Sequence, residues 1–121
     1  MIHYSISMLP AGSLSAGSSR LRCHFLCEEL KKLGIDANIN NFNNKSDVFF
    51  VQKNINIAIL NEAKKRKEEG AIVVYDIDDY GPGMAWLKIS PRIELEFLTI
   101  CDALVVDTLE RLNFYSKIER F

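Results

Sequence analysis

Three carboxylates stand within four residues at Asp76-Ile77-Asp78-Asp79, directly after the apolar run Ile72-Val73-Val74-Tyr75. Packing alone does not require such a cluster. In an extended chain Asp76 and Asp78 share one side, close enough together to hold Mg²⁺ or to accept hydrogen bonds from substrate hydroxyls. Turn formation and helix capping are the other common use of aspartates after a strand. A second group precedes the first helical pattern: Gly12, Gly17, Ser18 and Ser19, with Arg20 and Arg22 close behind. Backbone N–H groups at a helix N-terminus, reached through permissive glycines, make an anion pocket, and the two arginines add positive charge. An ordinary serine cap on a glycine-containing loop is the plainer account of the same residues. Lys53, just past the apolar stretch Val48-Phe49-Phe50-Val51-Gln52, is a further cation at the end of a strand pattern.

Other constellations fall short of a chemical signature. The glycine spacing is neither the dinucleotide fingerprint nor the P-loop, and Ala16-Gly17-Ser18-Ser19-Arg20 is not a nucleophile elbow. Cys23 and Cys27 share a helix face beside His24, but Cys101 and His3 are remote and lack metal-ligand spacing, so buried free thiols are expected and no metal or cofactor is assigned. Met84, Trp86 and Leu87 suit packing over the sheet edge. An Asp-x-Asp pair after a strand is also used by Mg-dependent phosphohydrolases of the haloacid dehalogenase type, with the first Asp as nucleophile. That pair belongs on the first strand of such a fold, whereas Asp76 follows the fourth, and Tyr80 replaces the Thr or Val expected two residues after Asp78.

These groups must be positioned by elements that the apolar pattern marks out. Residues 2–9 read as a buried strand stopped by Pro10, followed by a loop over 10–17. Leu26, Leu30 and Leu33 fall at i, i+4 and i+7 of a helix that Ser18 or Ser19 can cap and Gly34 can end. The asparagine-rich stretch 36–45 reads as a short edge strand plus loop, and 47–52 as a strand covered on both faces. A helix carrying Ile55, Ile59 and Ala63 ends at Gly70, and residues 71–75 form the next strand. Ser90 and Pro91 open a helix through about residue 100 with Ile93, Phe97 and Ile100 on one side. A strand over 103–106 and a short helix close the chain.

This alternation is that of a doubly wound α/β fold, a Rossmann-like three-layer sandwich with a mostly parallel sheet of about five strands. Residues 40–47 are fewer than a helical crossover between parallel strands normally needs. A length of 121 residues, 48% of them hydrophobic and 26% charged, suits a single domain over residues 1–121. A net charge of -1 speaks against a nucleic-acid partner, and the apolar runs are too short to span a bilayer. The first residues lack a basic segment and an apolar stretch of signal-peptide length, so a cytoplasmic location with reduced cysteines is expected.

Four segments, in order, resemble the N-terminal domain of GT-B fold glycosyltransferases, in particular bacterial retaining enzymes of cell-surface polysaccharide assembly. They are residues 16–21 (AGSSRL), 46–53 (SDVFFVQK), 73–79 (VVYDIDD) and 101–108 (CDALVVDT). The resemblance implies a domain that binds the acceptor, a glycan or a lipid-linked sugar, and touches the diphosphate of a nucleotide-sugar donor held by a second Rossmann-like domain. By position, Gly17, Ser18 and Ser19 would approach phosphate with help from Arg20. Asp76, Asp78 and Asp79 would border the acceptor cleft, and Lys53 is a further candidate for substrate binding. A C-terminal domain or partner subunit would supply the donor site, and these residues alone would transfer little or no sugar. A non-catalytic Rossmann-like binding module is the alternative that keeps the fold without the chemistry.

Overall fold

A computed structural model of the chain describes residues 4–10, 23–39, 45–53, 55–77, 91–106 and 108–116. Five strands, β1 (Ser5–Leu9), β2 (Asp36–Ile39), β3 (Val48–Gln52), β4 (Ile72–Ile77) and β5 (Ala103–Val106), form one sheet in the order β2-β1-β3-β4-β5. Every pairing is parallel. The helices among these residues are α1 (Phe25–Lys32), α2 (Ile57–Glu68), α3 (Pro91–Ile100) and α4 (Leu109–Ser116). The expected α/β, Rossmann-like class is the one observed. Loop 11–22, the carboxylates Asp78 and Asp79, Ser90 and the Met84, Trp86 and Leu87 group lie outside the described residues.

Period-two alternation divides the sheet between two cores. Leu9, Phe49, Val51, Val73, Tyr75 and Ile77 face α2 and α3, where Leu60, Ala63, Phe97 and Leu98 meet them. Met8 and Ala37 face α1, packing on Cys23 and Cys27 with Leu30, Ile39 and Phe50 at the margin. This corrects the expected face of α1. The inward stripe is buried Cys23 and Cys27 with half-buried Leu30, whereas Leu26 is 41% and Leu33 77% exposed. The spacing i, i+4, i+7 is the same, displaced by three residues, because two small thiols let the helix lie close over β1 and β2. Both α1 and α2 end as expected on a glycine with positive φ, Gly34 at 82° and Gly70 at 94°. In each case the following residue's N–H returns to the helix, from Ile35 to the Leu30 carbonyl and from Ala71 to that of Arg66.

The short link between β2 and β3 needs no helix. Ile39 is level with Met8 and Val48 with Ile6, so the ends to be joined lie two strand spacings and two residues apart. That is about 12 Å, well inside the reach of residues 40–47. The face of β1 and β2 that a crossover helix would cover carries Ser5, Ser7, Asp36 and Asn38, which with Lys45 and Ser46 line a cavity of about 310 Å³. Polar residues occupy all four of these alternate positions.

β1, β3 and α2 are tied at the amino end of the strands. The Ser5 N–H donates to Asp47 Oδ2 at 2.8 Å, and the Asp47 N–H donates back to the Ser5 carbonyl at 3.0 Å. Arg66, 3% exposed at the end of α2, donates through Nη1 to Ser7 Oγ at 3.1 Å and Ser46 Oγ at 2.7 Å, and through Nε to Glu62 Oε1 at 2.8 Å. Its guanidinium sits 4.6 Å from the centre of the Phe49 ring. A buried cation is tolerated only when it is paired and hydrogen-bonded in this way.

Two outcomes follow for this architecture. Arg66→Ala should lower the urea-unfolding free energy by about 2–4 kcal/mol, because it strands the Glu62 carboxylate and two hydroxyls. Arg66→Lys should recover less than half of that loss, since an ammonium cannot reproduce the planar fork. The cysteines are all buried, Cys23 and Cys27 under α1 and Cys101 in the opposite core. Burial pushes the Cys27 thiol up, Lys31 opposes this and Glu28 adds to it. A thiol reagent should therefore label none of the three rapidly in the native protein and all of them in denaturant. A fast-reacting thiol in the native state would contradict the placement of α1.

Candidate functional site

In an open parallel sheet the loops leave the carboxyl edge in opposite directions where the strand order reverses, which opens a crevice. Here the reversal lies between β1, whose connection runs to β2 on one side, and β3, which continues to β4 on the other. Leu9 is level with Val51, so Pro10 and Lys53 leave the sheet as neighbours at this edge. Asp76 lies one strand further, level with Gln52. Pro10, Lys53 and Asp76 thus lie along the same edge on adjacent strands. Of the expected site residues, Lys53 and Asp76 are described and are brought together. Gly17, Ser18, Ser19, Arg20, Asp78 and Asp79 fall outside the described residues.

One expectation changes. β4 runs to Ile77, two residues beyond the expected end, so Asp76 belongs to the strand and does not follow it. It is 1% exposed, and its carbonyl accepts the Lys53 N–H at 2.8 Å, extending the β3–β4 ladder by one bond. Alternation turns Asp76 to the α1 face. There it closes one end of a groove of about 370 Å³ whose other walls are Leu26, Phe50 and Val105. A carboxylate this deep in a ladder is placed to hold a hydroxyl or a cationic group at the groove and is poorly presented as an attacking nucleophile.

Lys53 is the one described non-glycine residue with positive φ, at 28°. Such backbone conformations cluster at functional sites and persist only where the surroundings impose them. Two bonds do so here: the N–H bond to Asp76, and a bond from the Tyr75 hydroxyl to the Lys53 carbonyl at 3.3 Å. The chain then turns through buried Ile55 into α2, which Asn56 caps by accepting the Ile59 N–H at 3.0 Å. The N-terminus of α2 therefore opens at the same edge, with its partial positive charge beside a lysine.

Three polar residues of this region escaped the sequence reading. Gln52, fully buried, accepts from the Cys23 thiol at 3.7 Å, tying the start of α1 to β3. Tyr75 was legible only as a strand residue, yet its hydroxyl also lies 3.3 Å from Glu94 Oε1, while its ring packs edge-on against Phe97 at 5.2 Å. Glu94 is 1% exposed. The available signal was its spacing, since Phe97, Leu98 and Cys101 stand three, four and seven residues on and are all buried. The expected stripe of Ile93, Phe97 and Ile100 put the centre of that face one position off, and Ile93 and Ile100 are half-buried.

α3 is held over Tyr75 by an ion pair from Lys64 of α2 to Glu96, which keeps the Glu96 carboxyl below its ordinary range. The hydrogen bond from Lys64 is the main cause and its charge the second. A carboxyl lowered in the folded state adds stability above its unfolded pKa and loses it as pH falls through the folded one. A carbon-detected titration should find Glu96 below the ordinary glutamate range, and Lys64→Ala should return it to that range. Lys53→Gly should raise the unfolding free energy by about 0.5–1 kcal/mol, because glycine adopts positive φ without strain, while Lys53→Ala should not. Equal effects of the two substitutions would mean that residue 53 is unstrained.

Among the described residues, no helix is long and apolar enough to cross a membrane. Comparison of the chain with protein-family models, with curated proteins and with solved structures finds no match.

Proposed function

We propose that this chain is the acceptor-side Rossmann-like domain of a GT-B fold glycosyltransferase, whose carboxyl edge meets both the acceptor and the diphosphate of a nucleotide-sugar donor. The observation that carries the reading is the reversal of strand order between β1 and β3, with a strained lysine at its rim and a buried aspartate on the next strand. Lys53 and the N-terminus of α2 supply positive charge for a diphosphate, to which the Gly17, Ser18, Ser19 and Arg20 segment would add. Asp76 would accept a hydrogen bond from an acceptor hydroxyl. The mainly apolar walls of its groove suit the hydrocarbon part of a lipid-linked acceptor better than a free sugar. The donor-binding domain of such an enzyme is a second Rossmann-like unit, so sugar transfer belongs to the two together.

Calorimetric titration with UDP and GDP, with and without a donor-binding domain supplied in trans, tests this reading. The chain alone should bind weakly and the pair tightly, and Lys53→Ala should weaken binding by the pair about threefold to tenfold, as for a charge-assisted contact at a partly screened site. Tight binding by the chain alone would make the edge a self-sufficient nucleotide site. Silence in both arms would reject the transferase reading and leave a non-catalytic module.

A further inference from the structure

We propose that Tyr75 and Glu94 are positioning residues for the carboxyl-edge site, acting through the backbone of Lys53; the proposal rests on the reading of that edge as the ligand site. The Tyr75 hydroxyl has one proton and two oxygen neighbours, the Lys53 carbonyl and Glu94 Oε1, each at 3.3 Å. A phenylalanine would fill the same space between β4 and Phe97. A buried hydroxyl and a buried carboxyl are each costly unless bonded, so their presence calls for a use beyond packing.

That use is visible in the backbone they touch. Residue 53 holds φ of 28°, its N–H is fixed to Asp76 and its carbonyl to Tyr75, so both of its peptide groups are anchored to β4. These anchors set the direction in which the chain leaves β3, and with it the placement of the Lys53 side chain and of the Asn56 cap that starts α2. Glu94 extends the anchor to the first turn of α3, the helix that follows Asp78 and Asp79 in the chain. One buried pair thus links the end of β3 to the first turn of α3. Removing the hydroxyl takes this bond from the carbonyl and lets residue 53 relax towards negative φ, moving the lysine without touching it.

The test uses the labelled full chain and reads the one-bond Cα–Hα coupling of residue 53, which separates positive from negative φ, alongside UDP and GDP affinity measured with the donor-binding domain. Wild type should give the positive-φ value. Tyr75→Phe should shift it towards the negative-φ value, leave couplings elsewhere in the sheet unchanged, and weaken nucleotide binding about threefold to tenfold, the range of one buried hydrogen bond. Glu94→Gln, which keeps a polar partner for Tyr75, should preserve the coupling, and Glu94→Leu should move it less than Tyr75→Phe does, because the hydroxyl keeps its one proton for the Lys53 carbonyl. In a Lys53→Gly background Tyr75→Phe should change affinity less than twofold, since glycine holds positive φ unaided. A positive-φ coupling at residue 53 in Tyr75→Phe would overturn the proposal. Absence of nucleotide binding by wild type would reject the functional reading alone, because the coupling still decides what Tyr75 and Glu94 position.

Discussion

The parallel pairing of β1 with β3 fixes where every other strand of the sheet lies. These strands are separated in sequence by α1 and all of β2, yet they are registered from Ile6 and Val48 to Leu9 and Val51. The register is fixed at the amino end by the reciprocal bonds of Ser5 and Asp47, and by Arg66, which binds a serine from each strand segment while lying over Phe49. A slip of one residue would turn Phe49 and Val51 out of the main core. With the register held, the order of strands reverses beside β1, and the carboxyl ends of β1, β3 and β4 become neighbours.

The two ends of the sheet use polar residues for different ends. At the amino edge every buried polar group of the Arg66 cluster serves to join α2 to the sheet, and the chain there leaves through ordinary glycine stops. At the carboxyl edge the buried polar groups Gln52, Tyr75, Asp76 and Glu94 surround one strained residue. A stable fold does not need strain at that place. Its cost of about 1–3 kcal/mol is a sizeable part of the margin by which a domain of this size is folded.

Much of this was legible in the residues themselves. Ala103-Leu104-Val105-Val106, bounded by Asp102 and Asp107, announced β5 at its observed limits, and Gly34 and Gly70 marked both helix ends. Local pattern carries that information because it depends on neighbours in the chain. What was not legible depends on neighbours in space. The stripe Leu26, Leu30 and Leu33 is as good a helical face as Cys23, Cys27 and Leu30, and only the narrow gap above β1 and β2 selects the smaller side chains. β4 keeps Asp76 inside the sheet because Gln52 and Lys53 on β3, and Val105 on β5, continue the ladder past Tyr75, which no reading of 71–75 alone reveals. The shortness of residues 40–47, an apparent obstacle in sequence, is met by the stagger of short strands, which leaves only about 12 Å to span. At the candidate site the lysine and the first carboxylate were legible by type. The residues that fix them, Tyr75 and Glu94, look in sequence like a strand residue and a surface glutamate.

Amide hydrogen exchange with and without a saturating nucleoside diphosphate, in the presence of a donor-binding domain supplied in trans, distinguishes the two edges of the sheet. If the carboxyl edge at the β1–β3 reversal is the binding edge, protection should rise at residues 52–59 and 75–77 and stay unchanged at the amino edge around Asp47 and Ala71. Protection gained at the amino edge, or at neither edge under saturation, would contradict the account.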